Sequence, residues 1–332
     1  MVRQPQAVKT VVRSKKFLSV IIACYKDAQA IPVMYERLSK VLQSLPISYE
    51  IIFVNDGSPD DSETVLLKLS EKDPHVTVIN HSRNFSSQMA FTSGLAVCTS
   101  DAAILMDGDL QDPPELIPQF FEQWRLGYDV VYGIRVKRDE SPLLQVCYKL
   151  FYRIFKHMSY VAIPLDAGDF SLLDRKVINE LHRLPERDRF IRGLRAWVGF
   201  KQTGVPYVRP KRLFGTSTNS LWKNFRWAIK GIFAFSDVPL QMITQLSLLV
   251  FMFSVIGIVY QIFYKLLHPA STANGITTVL IVVLFLGSVQ LLVLSILGEY
   301  LGKIFEEVKQ RPHFIVKSMF RQPQQKKSQP KR

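Results

Sequence analysis

Between Val238 and Gly298 the chain carries one Lys, Arg, Asp or Glu, the lysine at 265. On one side lie 27 residues without such a charge, Val238–Tyr264, and on the other 33, Leu266–Gly298. About 20 apolar residues in a helix cross a hydrocarbon core, so both runs are long enough and two membrane-spanning helices are expected. That requirement divides the chain into a basic arm (1–16), a water-facing domain (17–218), a juxtamembrane stretch (219–237), a helical hairpin (238–302) and a basic tail (303–332).

Charge gives the expected orientation. The net charge is +14, unevenly spread: the connecting "LLHPASTAN" has no Arg or Glu, whereas 303–332 holds nine Lys and Arg. The excess places both termini in the cytoplasm and the protein in the cytoplasmic membrane. The start "MVRQPQAVKTVVRSKK", followed by "FLSVIIACY", superficially looks like a signal peptide, but the apolar run stops at Lys26 and its Val and Ile suit a strand. Cys24, Cys98 and Cys147 lie far apart, in neither a disulfide nor a zinc pattern, and read as reduced, packed thiols. The tail "FRQPQQKKSQPKR" reads as disordered, either resting on anionic headgroups or simply solubilising.

Two stretches mix aromatic and basic residues. In "SLWKNFRWAIKGIFAF", Trp222, Phe225, Trp227, Phe233 and Phe235 interleave with Lys223, Arg226 and Lys230 just before the first span. Such a helix suits the membrane interface and contact with lipids, a better account there than binding to nucleic acid. "LLQVCYKLFYRIFKHM" at 143–158 has similar spacing, and both an interfacial and a core-packing reading are open.

The first half alternates strand and helix. "FLSVIIACY", "YEIIFVNDG", "VTVINHS" and "DAAILMDGD" read as strands, with helices in "IPVMYERLSKVLQSL" and "SSQMAFTSGLAVCT". The order predicts an α/β fold with a mainly parallel sheet, whose ligands bind beyond the carboxyl ends of the strands. Polar residues gather at those ends: Tyr25, Lys26 and Asp27; Asn55 and Asp56; Arg83 and Asn84; Asp107 and Asp109. Two carboxylates one residue apart, with Gln111 adding an oxygen, suit Mg²⁺ or Mn²⁺. A simple Asp-Gly turn is the competing account of the same residues. Asp56 at another strand end and Arg135, Lys137 and Arg138 downstream favour the metal, because together they form a setting for a diphosphate leaving group.

The segments "VNDGSPDDS", "HSRNF", "ILMDGDLQDPPELI", "YDVVYGIRVKR", "DAGDFSLLDRKV" and "FIRGLRAWVGF", followed by two apolar runs, resemble the family-2 glycosyltransferases that use polyprenyl phosphate. The similarity spans roughly 17–310 and includes undecaprenyl-phosphate glucosyl- and aminoarabinosyltransferases and, more distantly, dolichol-phosphate mannose synthases. It implies a GT-A domain that transfers a sugar from a nucleotide sugar, UDP-linked by preference or GDP-mannose as the alternative, to the lipid phosphate with inversion. It also implies Tyr25, Asp27, Asp56, Asp107, Arg135 and Arg212 at the donor, with Asp107, Asp109 and Gln111 around Mg²⁺ or Mn²⁺. Asp169, Asp109 and Arg135 would be catalytic, and Arg192, Arg195 and Lys211 would meet the acceptor phosphate.

Three departures stand out. The usual Pro-x-Tyr-Asn-Glu reads Ala23-Cys24-Tyr25-Lys26-Asp27, the glycine often found after Arg-Asn-Phe is Ser86, and the loop lysine is Thr218, with Lys211 a candidate substitute. A lipid phosphate is already anionic, so Asp169 either orients the acceptor or stabilises positive charge on the sugar; a helix-capping role is the structural alternative. A noncatalytic membrane scaffold is the rival class, opposed by the retention of Asp107, Asp109, Gln111 and Arg135. A processive synthase is opposed by too few spans. Association with further copies of the chain is left open.

Overall fold

Every residue of strand β1 (Phe17–Cys24) after Phe17 is buried, because a parallel strand covered on both faces has no solvent side. The computed structural model describes residues 16–136, 167–210, 212–214, 238–267 and 275–322. Leu18, Val20 and Ile22 share a core with helix α1 (Ala30–Gln43), whose Ile31, Met34, Leu38 and Leu42 recur at helical spacing. On the opposite face of β1, Ile21 fits against Gly94 of α3 (Ser87–Val97) so closely that a β-carbon there would collide with it.

β2 (Ser48–Asn55), α2 (Ser62–Lys72), β3 (Val76–His81) and β4 (Ala102–Asp107) complete the alternation, and β1 pairs in parallel with both β2 and β4. The chain then adds α4 (Ile117–Arg125), β5 (Val130–Arg135), β6 (Ala167–Asp174), α5 (Arg175–Arg183), α6 (Ile191–Trp197) and β7 (Gln202–Tyr207). With a final strand β8 (Val316–Arg321), the eight-stranded sheet runs β7-β5-β6-β4-β1-β2-β3-β8. β6 is antiparallel to both its neighbours, so the sheet is mainly parallel but mixed.

The last strand, β8 (Val316–Arg321), corrects the reading of 303–332 as a basic tail. It lies antiparallel against the edge of β3, and its basic residues meet carboxylates of the sheet domain. Glu50, 2 % exposed in β2, accepts from Ser19 Oγ at 2.5 Å and from Arg321 Nη2 at 2.9 Å. Lys317 Nζ lies 3.0 Å from Glu63, and Asn80 Nδ2 donates to Ser318 Oγ at 3.1 Å. A buried carboxylate needs such partners, so β8 completes the domain. Residues 323–332 of the expected tail lie outside the described residues, as do the 143–158 and 219–235 stretches and Lys211.

The described residues divide into two compact units, one holding all eight strands and the other the long helices α7 (Val238–Leu267) and α8 (Ile276–Val308). The hairpin is therefore inserted in the chain of the sheet domain: the sequence leaves it, passes through both helices and returns as β8. Within α7 and α8, Leu240–Gly257 and Phe285–Val308 have mean hydropathies of 1.8 and 1.5, long and apolar enough to cross a membrane. α8 continues past the expected end at 302.

Candidate active site

The turns after the four parallel strands share a rare backbone feature. Lys26 follows β1 with φ 61°, Gly57 follows β2 with φ 63°, Ser86 ends the connection from β3 with φ 87°, and Leu110 follows β4 with φ 63°. A left-handed conformation costs a residue with a β-carbon about 1–2 kcal/mol, so three such residues on one rim mark a site whose shape is held by its surroundings.

At the end of β4 the reason is visible. Leu110 is 1 % exposed and belongs to the core, which anchors the turn between Asp109 and Gln111. A β-carbon on Gly108 would lie 3.0 Å from both Ala23 O and Cys24 Sγ and 3.2 Å from Asp27 Oδ2, so the middle of Asp107-Gly108-Asp109 packs on the end of β1. Asp109 Oδ1 accepts the Gln111 N–H at 3.1 Å, while its Oδ2 is 2.6 Å from Arg212 Nη2 and 4.0 Å from Arg209 Nη2. Burial, reinforced by the charges of Asp112, Asp109 and Asp169, pushes the Asp107 carboxyl well above its usual range. Burial likewise raises Asp27 to about 6, with Asp109 adding to the shift and the Tyr25 N–H bond and Arg212 opposing it. Crowded carboxylates of this kind are what a divalent cation relieves. Asp107 and Asp109 supply hard oxygen donors, and Gln111, whose Nε2 donates to Pro210 O at 3.2 Å, offers its amide oxygen. Among the described residues no three His, Cys, Asp or Glu side chains form a metal cluster.

Arg135 lies across Gly168, where a β-carbon would come within 2.7 Å of its Nη2. Its Nε donates to Tyr207 Oη at 3.3 Å, Tyr207 donates to Asp112 Oδ1 at 3.0 Å, and Asp112 Oδ2 accepts the Asp107 N–H at 3.3 Å. The next residue, Asp169, accepts from Gln88 Nε2 at 3.0 Å and lies 3.8 Å from Arg192 Nη2. Arg195, expected at an acceptor phosphate, is instead fully buried. Its Nη1 donates to Gly168 O at 3.5 Å and its guanidinium lies 5.0 Å from the Tyr132 ring centroid. Burial pulls this guanidinium down to about 10 against the pull of Asp169.

Asp56 also carries a different load from the expected nucleoside contact. At 2 % exposure it accepts the N–H groups of Phe85 and Ser86, each at 2.8 Å, and lies 2.8 Å from His81 Nδ1. Tyr25 is exposed beside these acids, and its N–H donates to Asp27 Oδ2 at 2.9 Å. Gln88, Asp112, Tyr207 and Arg209 were not among the expected site residues. Asp112 has a sequence signal, the third acid of "DGDLQD"; the other three become neighbours only through the tertiary fold.

Carboxylates facing arginines at the carboxyl rim of a mainly parallel α/β sheet equip a protein for group transfer from a phosphorylated donor. Residues 19–182 match Glycosyl transferase family 2. The chain is 40 % identical over 305 residues to an uncharacterized glycosyltransferase, YkcC, of Bacillus subtilis, covering 91 % of this chain and 94 % of that one. It is 36 % identical to the SfII prophage-derived bactoprenol glucosyl transferase of Shigella flexneri, covering 92 % of this chain and 98 % of that one. The chain belongs to glycosyl transferase family 2 and is a glycosyltransferase. Among solved structures, Mycobacterium tuberculosis glucosyl-3-phosphoglycerate synthase in complex with Mn²⁺ and UDP-glucose is 16 % identical with TM-score 0.44, covering 66 % of this chain and 77 % of that one. It is too distant to bear on the site.

Proposed function

We propose that the protein transfers a sugar from a nucleoside diphosphate sugar, with UDP-glucose the first donor to test, to a polyprenyl phosphate, inverting the anomeric carbon. The observation that carries this reading is the joining, in one chain, of an acid and arginine rim to two helices apolar enough to cross a membrane. Similarity to a protein named for bactoprenol glucosyl transfer, over 92 % of the chain, supports the lipid acceptor.

In this reading Asp107 and Asp109, with the Gln111 amide oxygen, hold Mg²⁺ or Mn²⁺, which supplies positive charge beside the departing diphosphate. Arg135 faces the same diphosphate, and Arg212 reaches it from the loop that ends in Thr218. Tyr25 and Asp27 frame the nucleoside, and Asp56 shapes its floor. Arg192 and Lys211 attract the acceptor phosphate, whose oxygen attacks the anomeric carbon as the sugar–diphosphate bond breaks. That oxygen is already anionic, so no strong base is required.

Membranes containing the protein, supplied with undecaprenyl phosphate, a divalent cation and each common nucleotide sugar in turn, test the reading. Lipid-linked sugar is expected from one donor, UDP-glucose first, and transfer from none would overturn it. The charge asymmetry supports α7 and α8 as spans with both chain ends in the cytoplasm. Cysteines placed at Ser271 and Ser328 should then label from outside and inside respectively, and the reverse pattern would refute that orientation.

A further inference from the structure

The chain returning from α8 reaches the sheet domain through Phe314, whose ring stacks on His81 with centroids 5.5 Å apart and planes 12° from parallel. The adjacent Ile315 O accepts the Ser82 N–H at 2.9 Å, which fixes the entry of this segment beside the end of β3. The His81 side chain is wholly buried and is contacted on every side. Phe85 meets it edge-on at 5.7 Å, Nε2 is 2.9 Å from Ser93 Oγ, and Nδ1 is 2.8 Å from Asp56 Oδ1. A carboxylate only accepts, so the proton of this last bond resides on Nδ1.

From His81 the contacts lead to the reacting centre. Asp56 accepts the Phe85 and Ser86 N–H groups, and these two bonds hold Ser86 at φ 87°. Helix α3 begins at the next residue, and its second residue, Gln88, binds both Asp169 Oδ2 at 3.0 Å and the Ile191 N–H at 2.8 Å. A glycine at 86 would take that backbone conformation without support; serine takes it only under strain. The shorter support is the carboxylate, with Asn84 Oδ1 at 3.2 Å a longer one; the carboxylate is held by the imidazole, which the Phe314 ring and Ser93 Oγ hold in turn.

We propose that Phe314 is a positioning residue for sugar transfer, acting through His81 and Asp56 on the Ser86 turn and so on the Gln88 side chain that holds Asp169. The chain returning from the apolar hairpin would thereby make the geometry of the reacting centre depend on a residue more than two hundred positions after the Ser86 turn. This rests on the transferase reading for its consequence in catalysis, though not for its structural part.

The test uses full-length protein with three substitutions at 314 and one at 86. Loss of an aromatic stack is worth up to about tenfold in an equilibrium, so Phe314→Ala should speed hydrogen exchange in segment 83–88 of the ligand-free protein, and lower kcat, each by up to about tenfold. The KM for acceptor should stay unchanged. Phe314→Leu, which keeps apolar volume without a flat ring, should show the same exchange increase, and Phe314→Tyr should match the parent. Ser86→Gly added to Phe314→Ala should recover kcat to within about threefold of the parent, because glycine removes the need for the support. Lys317→Ala, which breaks a β8 ion pair away from His81, should leave transfer unaltered. Parental exchange at 83–88 in both Phe314→Ala and Phe314→Leu, or no recovery in the double variant, overturns the proposal. Failure of the parent protein to transfer any sugar would defeat the transferase reading alone, since the exchange comparison would still decide the positioning.

Discussion

Asp109→Asn is expected to reduce sugar transfer by about 10³-fold or more, equivalent to about 4 kcal/mol of transition-state stabilisation, while the protein stays folded. The amide keeps the size of the carboxylate and can still accept the Gln111 N–H, so the turn carrying Leu110 has no reason to rearrange. What disappears is a charge, and the amide is a poor ligand for a hard divalent ion. The variant also loses the 2.6 Å ion pair to Arg212. Against that loss stands relief of repulsion on Asp107, whose carboxyl is driven up by burial and by Asp112, Asp109 and Asp169. The melting temperature of the metal-free protein should consequently change little. Initial rates at saturating donor across a Mg²⁺ or Mn²⁺ titration provide the measurement. Undiminished turnover with the parental metal dependence would remove Asp109 from the metal site.

How much of this was visible beforehand depends on how far apart the interacting residues lie. β1 to β4 announce themselves because strands buried on both faces are continuous β-branched runs, and Asp107-Gly108-Asp109 is prominent at the end of one of them. β7 contains Gly204 and Pro206 and sits at a sheet edge, where such residues are tolerated but locally read as a loop. β8 is a short, largely exposed strand with two basic residues among three apolar ones on the opposite edge, and it pairs with a partner 238 residues earlier, as the Asn80 to Ser318 bond records. Nothing in its own sequence distinguishes it from a solvated tail. The same logic separates the site residues. Asp109 is legible from its motif, whereas Gln88 acquires meaning only when α3 brings it beside Asp169 and the start of α6. Arg195 illustrates the opposite error: as a sequence symbol it is a cation for phosphate, but the fold buries it under Gly168.

Asp169→Asn is expected to lower kcat by about 10²–10³-fold with little change in the KM for donor, the magnitude typical of removing one preorganised electrostatic contact at a reacting centre. The fold should tolerate it, since an Asn oxygen can still accept from Gln88 Nε2. The expectation rests on the environment of this carboxylate. Oδ1 is shut off from solvent and has no hydrogen-bond partner among the described residues, an arrangement that costs free energy. Arg192 stands 3.8 Å from Oδ2, Arg195 lies buried beneath, and Arg135 covers Gly168 beside it. In the proposed reading, a carboxylate oxygen here is suited to the positive charge that develops on a sugar ring as the diphosphate departs. A general base would be suited to a proton instead, and the two roles separate with pH. A phosphate monoester is doubly ionised above about pH 6, so the acceptor needs no deprotonation at pH 8.5. If Asp169 stabilises charge, the deficit of Asp169→Asn should be equal at pH 5, where the acceptor phosphate still carries its second proton, and at pH 8.5, where it does not. A deficit that closes as the pH rises would assign Asp169 to proton removal and refute the electrostatic role.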